Sequence, residues 1–176
     1  VLQLMNCRNA DITVDAYLQV IRYKTAKLFE AAGQLGAILG DVSPEIEEAM
    51  AAYGTHIGTA FQLIDDVLDY SGKEVETGKH LGDDLAEGKP TLPLIHVIQH
   101  GSEAQAALVR GAIENADGDR FVEVLAAVRE SGALDAAHRH GVEEAGIAKA
   151  SLAPLQDSQF KETLLQLADF AVQRSF

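Results

Sequence analysis

The chain is 176 residues long, with 27 acidic against 14 basic side chains and a net charge of −13. That balance excludes non-specific nucleic-acid binding and docking of a basic patch on anionic lipid, since both need net positive faces. A single cysteine, Cys7, excludes an internal disulfide framework and fits a reducing, cytoplasmic compartment, and no apolar run nears the ~18 residues of a membrane span.

Val1-Leu2-Gln3-Leu4-Met5 reads as the end of a helix already under way, with no initiator Met, so a piece of a longer chain is expected. From Thr13 to Leu39 the apolar residues Val14, Leu18, Ile21, Leu28, Leu35 and Leu39 recur mostly at three- and four-residue steps, which predicts one helix. Thr13 is its expected N-cap and Gly40 its C′ residue. Ser43-Pro44-Glu45 opens a second helix, to about Tyr70, with Pro in the first turn and Glu45, Glu47 and Glu48 facing the positive dipole end. Gly54 and Gly58 in it, four apart, predict close helix packing. The stretch Ser71–Lys89 breaks the pattern with Gly72, Gly78, Gly82 and Gly88, and predicts a long mobile loop of the kind that forms functional lids. Helices resume over 91–99, from Ser102 (a capping box with Gln105), over 119–130, over 133–153 and over 158–173. No strand, repeat or domain boundary is visible. The expected fold class is all-α, one domain over residues 1–176, a bundle of six to eight helices.

The chemistry concentrates in Phe61-Gln62-Leu63-Ile64-Asp65-Asp66-Val67-Leu68-Asp69. Asp65 and Asp69 share a helix face, and Asp66 lies about 100° around it. Three carboxylates this close repel one another, near a helix end whose dipole opposes them. Apolar neighbours imply partial burial, which raises the cost of unpaired charge. A cation relieves this, and hard oxygen donors without Cys or His suit Mg²⁺. A bare cluster of this kind is more often a solvated helix end. Here Lys24, Lys79 and Lys89 accompany it in a chain short of cations, which points to a metal-bound polyphosphate held by carboxylates and ammonium groups together. The histidines show no metal-ligand spacing: His138 and His140 do not face one another on a helix, and His56, His80, His96 and His100 read as surface or satisfied core residues.

In this setting the run Phe61–Asp69 resembles the second aspartate-rich motif of trans-isoprenyl diphosphate synthases. Arg22-Tyr23-Lys24-Thr25-Ala26 resembles their lysine-threonine motif. Gly78-Lys79 and Gly82-Asp83-Asp84-Leu85-Ala86-Glu87-Gly88-Lys89-Pro90-Thr91 are similar to the lid of the long-chain members. Order and spacing agree, and the closest similarity is to the octaprenyl and related synthases that make quinone side chains, as in ubiquinone biosynthesis. The resemblance implies an isoprenoid synthase fold, of which this chain is roughly the C-terminal half. It implies head-to-tail transfer of an allylic diphosphate onto isopentenyl diphosphate. Asp65, Asp66 and Asp69 would bind Mg²⁺, with Asp83 and Asp84 as possible supports. Lys24, Lys79 and Lys89 would hold the diphosphate, and Thr25 and Gln62 would line the allylic cation. It further implies a homodimer in the full-length protein.

The first aspartate-rich motif of such enzymes is absent from this sequence, so the chain by itself is expected to be inactive. Two other readings remain: a non-catalytic subunit of a heteromeric prenyl synthase, and an acidic helical interaction module that binds cations structurally. Intact acidic and lysine blocks argue against both.

Overall fold

A computed structural model describes residues 1–71 and 81–174. Among these residues all regular structure is helical. The elements are α1 (Leu2–Asn6), α2 (Val14–Ile21), a π-helical turn (Arg22–Ala26), α3 (Lys27–Leu39), α4 (Pro44–Ser71), α5 (Asp83–Ala86), α6 (Leu92–His100), α7 (Glu103–Asn115), a 3₁₀ turn (Gly118–Arg120), α8 (Phe121–Glu130), α9 (Ala133–Ser151) and α10 (Gln159–Gln173). The all-α reading holds. The helices outnumber the expected six to eight because a π turn splits the first long one, and because α1 and α5 are short segments of five and four residues. No helix among the described residues is long and apolar enough to cross a membrane.

Several helix ends follow the expected chemistry. Thr13 Oγ1 accepts from the Ala16 amide at 3.2 Å. Ser102 and Gln105 form both halves of the capping box, with Gln105 N–H donating to Ser102 Oγ and Ser102 N–H donating to Gln105 Oε1. Ser158 caps α10 by accepting from Lys161 N–H. Gly40 differs from expectation: it keeps right-handed helical geometry, and Asp41 after it takes the left-handed conformation (φ 49°). The expected Ser71–Lys89 loop lies partly outside the described residues, and its later part folds as the α5 turn.

The chain divides into two compact units. Unit one comprises Val1–Val20 and Asp65–His138. Its core is built on Tyr70, Leu85, Leu94, Val97, Val109, Ile113, Val124 and Val128. Pro93 sits in the first turn of α6, where its missing N–H removes no helical bond. Gly82 precedes α5 at φ 82°, and a Cβ there would collide with the Phe121 ring. A larger residue would therefore meet both backbone strain and the core.

Unit two comprises Ile21–Ile64 and Arg139–Arg174. Its core holds Tyr53, Ile57, Ala148, Leu152, Ala168 and Ala171, with Phe29, Met50 and Leu164 packed against it. The buried Tyr53 hydroxyl donates to the Leu164 carbonyl at 2.8 Å. Gly54 and Gly58 act as expected. A Cβ on Gly54 would overlap the Phe29 carbonyl, and one on Gly58 would lie 2.7 Å from Ala26 Cα. Two backbones thus touch where a larger residue would hold them apart.

Candidate functional site

In unit one the carboxylates sit at the end of α4 and on α5. Asp66 is 3% exposed, and its Oδ2 accepts a 2.6 Å hydrogen bond from the buried hydroxyl of Tyr17 on α2. Burial, and then the Asp66 charge, push the Tyr17 phenol well above its ordinary range, so Tyr17 stays a donor. Asp65 is half-buried on the same helix. Asp69 is the strained member. Its Oδ2 is buried and has no hydrogen-bond partner among the described residues. Burial pushes its carboxyl up to about 6, helped by the charges of Asp84 and Asp83 and opposed by the Asp84 and Gly82 backbone amides. The Asp84 charge also bears on Tyr17 and on Tyr70, whose buried ring packs tilted on Phe121 at 6.0 Å.

Lys89 is the ammonium beside this cluster. Its Nζ donates to Asp84 Oδ1 and Glu87 Oε2, each at 2.9 Å. Burial alone would lower its pKa, but these two carboxylates outweigh it and raise Lys89 above its ordinary range. Lys89 therefore stays charged, and its charge is already shared.

In unit two the π turn carries Lys24, exposed, and Thr25, half-buried. Thr25 Oγ1 donates to Oε1 of the buried Gln62 on α4 at 2.9 Å. The two residues expected to face an allylic cation are thus hydrogen-bonded to each other. A π turn within an α-helix is rare and occurs frequently at functional sites. Beside Gln62, the Phe61 ring stacks tilted on Phe29 and lies 3.8 Å beneath the Arg174 guanidinium, whose Nη2 also donates to the Phe61 carbonyl.

The structure thus gathers Asp66, Asp69, Asp83, Asp84 and Lys89 in unit one, and Thr25 with Gln62 in unit two. Lys79 lies outside the described residues. Among the described residues no three carboxylate, imidazole or thiol groups sit close enough to enclose a metal by themselves. Mg²⁺ keeps several waters and takes one or two carboxylates alongside substrate phosphates, so it needs no such enclosure. The unpaired Asp69 oxygen and the surplus of hard donors suit such an ion.

Sequence reasoning missed Tyr17 and Arg174. Tyr17 was legible in principle: a tyrosine on the apolar stripe of a helix buries its hydroxyl and so needs a partner. Arg174 carries no such signal.

The family model for polyprenyl synthetases matches residues 1–129. The chain belongs to the polyprenyl synthetase family. It is 49% identical over 175 residues to an octaprenyl diphosphate synthase of Escherichia coli K12, covering 99% of this chain and 54% of that protein. A Haemophilus influenzae octaprenyl diphosphate synthase is 46% identical over 177 residues, covering all of this chain and 54% of its own length. Among solved structures, a Caulobacter crescentus polyprenyl synthase complexed with calcium and isoprenyl diphosphate is 40% identical. It superposes with a TM-score of 0.93, over 99% of this chain and 54% of that one. A Rhodobacter capsulatus decaprenyl diphosphate synthase gives 0.90 at 39% identity, over 99% of this chain and 55% of its own. The chain spans about half the length of these polyprenyl synthetases.

Proposed function

We propose that the whole protein is a chain-elongating prenyltransferase that condenses isopentenyl diphosphate onto an allylic diphosphate and makes a long-chain polyprenyl diphosphate for a quinone side chain. The observation that carries this reading is the buried Oδ2 of Asp69, without a hydrogen-bond partner among the described residues and with the carboxylates of Asp83 and Asp84 acting on it, in a chain 49% identical to an octaprenyl diphosphate synthase. Such a cluster favours a cation, and the family's substrates are diphosphates.

In this reading Asp65, Asp66 and Asp69 would hold Mg²⁺, supported by Asp83 and Asp84. The ion, when bound, supplies positive charge to the leaving diphosphate. Lys24, Lys79 and Lys89 hold diphosphate oxygens as point charges. Lys89 exchanges its Asp84 and Glu87 contacts for phosphate, and its raised pKa keeps it charged throughout. Thr25 donates its hydroxyl hydrogen bond to Gln62, which leaves the hydroxyl lone pairs to face a developing allylic cation. Residues 1–176 form one all-α domain of the full-length protein. That protein is a cytoplasmic homodimer, and residues 1–176 alone are inactive for want of the first aspartate-rich motif.

The test is an assay of the full-length protein with farnesyl diphosphate, isopentenyl diphosphate and Mg²⁺. Long-chain polyprenyl diphosphate should form, and Lys24→Ala or Lys79→Ala should lower its rate or the allylic diphosphate affinity. Turnover unchanged by both substitutions would sink the assignment, as would turnover by residues 1–176 alone for the inactivity.

A further inference from the structure

We propose that Glu144 is a positioning residue: with Arg22 and His56 it clamps the π-helical turn that carries Lys24 and Thr25 against α4. The functional half of this inference rests on the reading above, and the structural half does not.

Glu144 lies on α9, with a side chain only 12% exposed. Its two oxygens are divided between two elements. Oε1 accepts from Arg22 Nη2 at 3.3 Å, and Arg22 is the first residue of the π turn. Oε2 lies 2.5 Å from Nδ1 of His56 on α4. Burial would raise the Glu144 carboxyl, but the His56 contact and the Arg22 charge outweigh it and hold it below the usual range. The carboxylate is therefore ionised, and Nδ1–H of His56 is the donor. One half-buried charge bridges three helical elements of the same unit.

The π turn requires such support. Its hydrogen-bond geometry is less favourable than that of the flanking α-helix, so it persists where the surroundings fix it. Its last residue, Ala26, is seated on Gly58 of α4, where a Cβ would come within 2.7 Å of Ala26 Cα. Its fourth residue, Thr25, is bonded to Gln62. Its first residue, Arg22, is held by Glu144. Glu144 is thus the tie at the end of the turn that backbone packing leaves open. His56 and Gln62 lie on the same helix, so the clamp sets the π turn in register with the partner of Thr25. Arg22 is 46% exposed and replaceable without opening the core, which makes it the test position least prone to misfolding.

The experiment is amide hydrogen exchange, read by mass spectrometry, on the full-length protein and its Glu144→Gln and Arg22→Met variants. Both should speed exchange across residues 23–27 by about tenfold or more while residues 44–53 and 159–171 stay within about twofold. Exchange unchanged at 23–27, or raised equally everywhere, overturns the clamp. Steady-state kinetics form the second arm. Where the full-length protein condenses the two diphosphates, both variants should lower kcat by about tenfold with KM for the allylic diphosphate nearly constant, since Thr25 acts on developing charge. A loosened turn with normal kcat overturns the positioning role. A loosened turn in a protein whose unsubstituted form makes no product leaves the clamp standing and removes the functional reading instead.

Discussion

The hydroxyl of Tyr17 and Oδ2 of Asp66, 49 residues apart in sequence, share a 2.6 Å hydrogen bond in the interior of unit one. A buried carboxylate loses its water, and a donor that cannot ionise near neutrality is a durable replacement. Tyr17→Phe deletes that donor, together with the acceptor that the Tyr17 oxygen offers the Leu92 amide. The expected loss of stability is about 1–3 kcal/mol, the desolvation penalty of a buried acceptor with one donor removed. In the Asp66→Asn background the same substitution should cost less, since the charge it served is gone. Urea unfolding of the four proteins measures the coupling, and strictly additive losses would show that the bond carries no energy.

Asp69 predicts a pH dependence with a definite sign. Its carboxyl is pushed from 3.8 to about 6, chiefly by burial and then by Asp84. Between about pH 4 and pH 6 the folded protein therefore binds more protons at this site than the unfolded chain. Its contribution to stability is fully present below the lower value and is lost as pH rises through the higher one. Asp69→Asn should flatten that part of the profile and raise the melting temperature at pH 7. Parallel melting-temperature curves for the two proteins over this range would refute the assignment.

The same carboxylate should respond to a metal–diphosphate complex. Mg²⁺ with inorganic pyrophosphate should raise the melting temperature at pH 7, because a ligand of the folded state alone stabilises it by mass action. The shift should be absent in Asp69→Asn and weakened in Lys89→Met, whose ammonium stands beside the cluster. A shift of equal size in all three proteins would place the ligand elsewhere.

Much of this was legible in sequence, for local reasons. Ser43, Pro44, Ser102 and Ser158 announce helix starts because caps act within four residues. The run from Phe61 to Asp69 announces a crowded acidic cluster because its charges fall within about one helical turn. What stayed hidden depends on contacts between distant segments. Nothing around Arg22–Ala26 distinguishes a π turn from the α-helix that the apolar spacing predicts. The turn depends on Gly58 and Glu144, which lie 32 and 118 positions beyond Ala26 in sequence. Likewise the pairing of Lys89 with Asp84 needs the α5 turn, where spacing alone suggested continuous loop.

Gly58 and Gly146 separate packing from intrinsic helix propensity within one unit. Both lie inside helices, α4 and α9, where alanine is intrinsically better than glycine by about 1 kcal/mol. A Cβ on Gly146 would meet nothing within 4 Å, so Gly146→Ala should realise that gain. A Cβ on Gly58 would lie 2.7 Å from Ala26 Cα and 3.1 Å from the Cβ atoms of Ala26 and Phe29. Those neighbours are backbone and branch-point atoms that no rotamer change moves aside. Relief requires the π turn to back away from α4, and overpacking of this kind costs about 1–3 kcal/mol. Gly58→Ala should therefore lower stability despite its better helix propensity, and should also stretch the bond from Thr25 to Gln62 above it. Thermal melts give the two signs directly. A stabilised Gly58→Ala protein would mean that α4 and the π turn are not in contact as described.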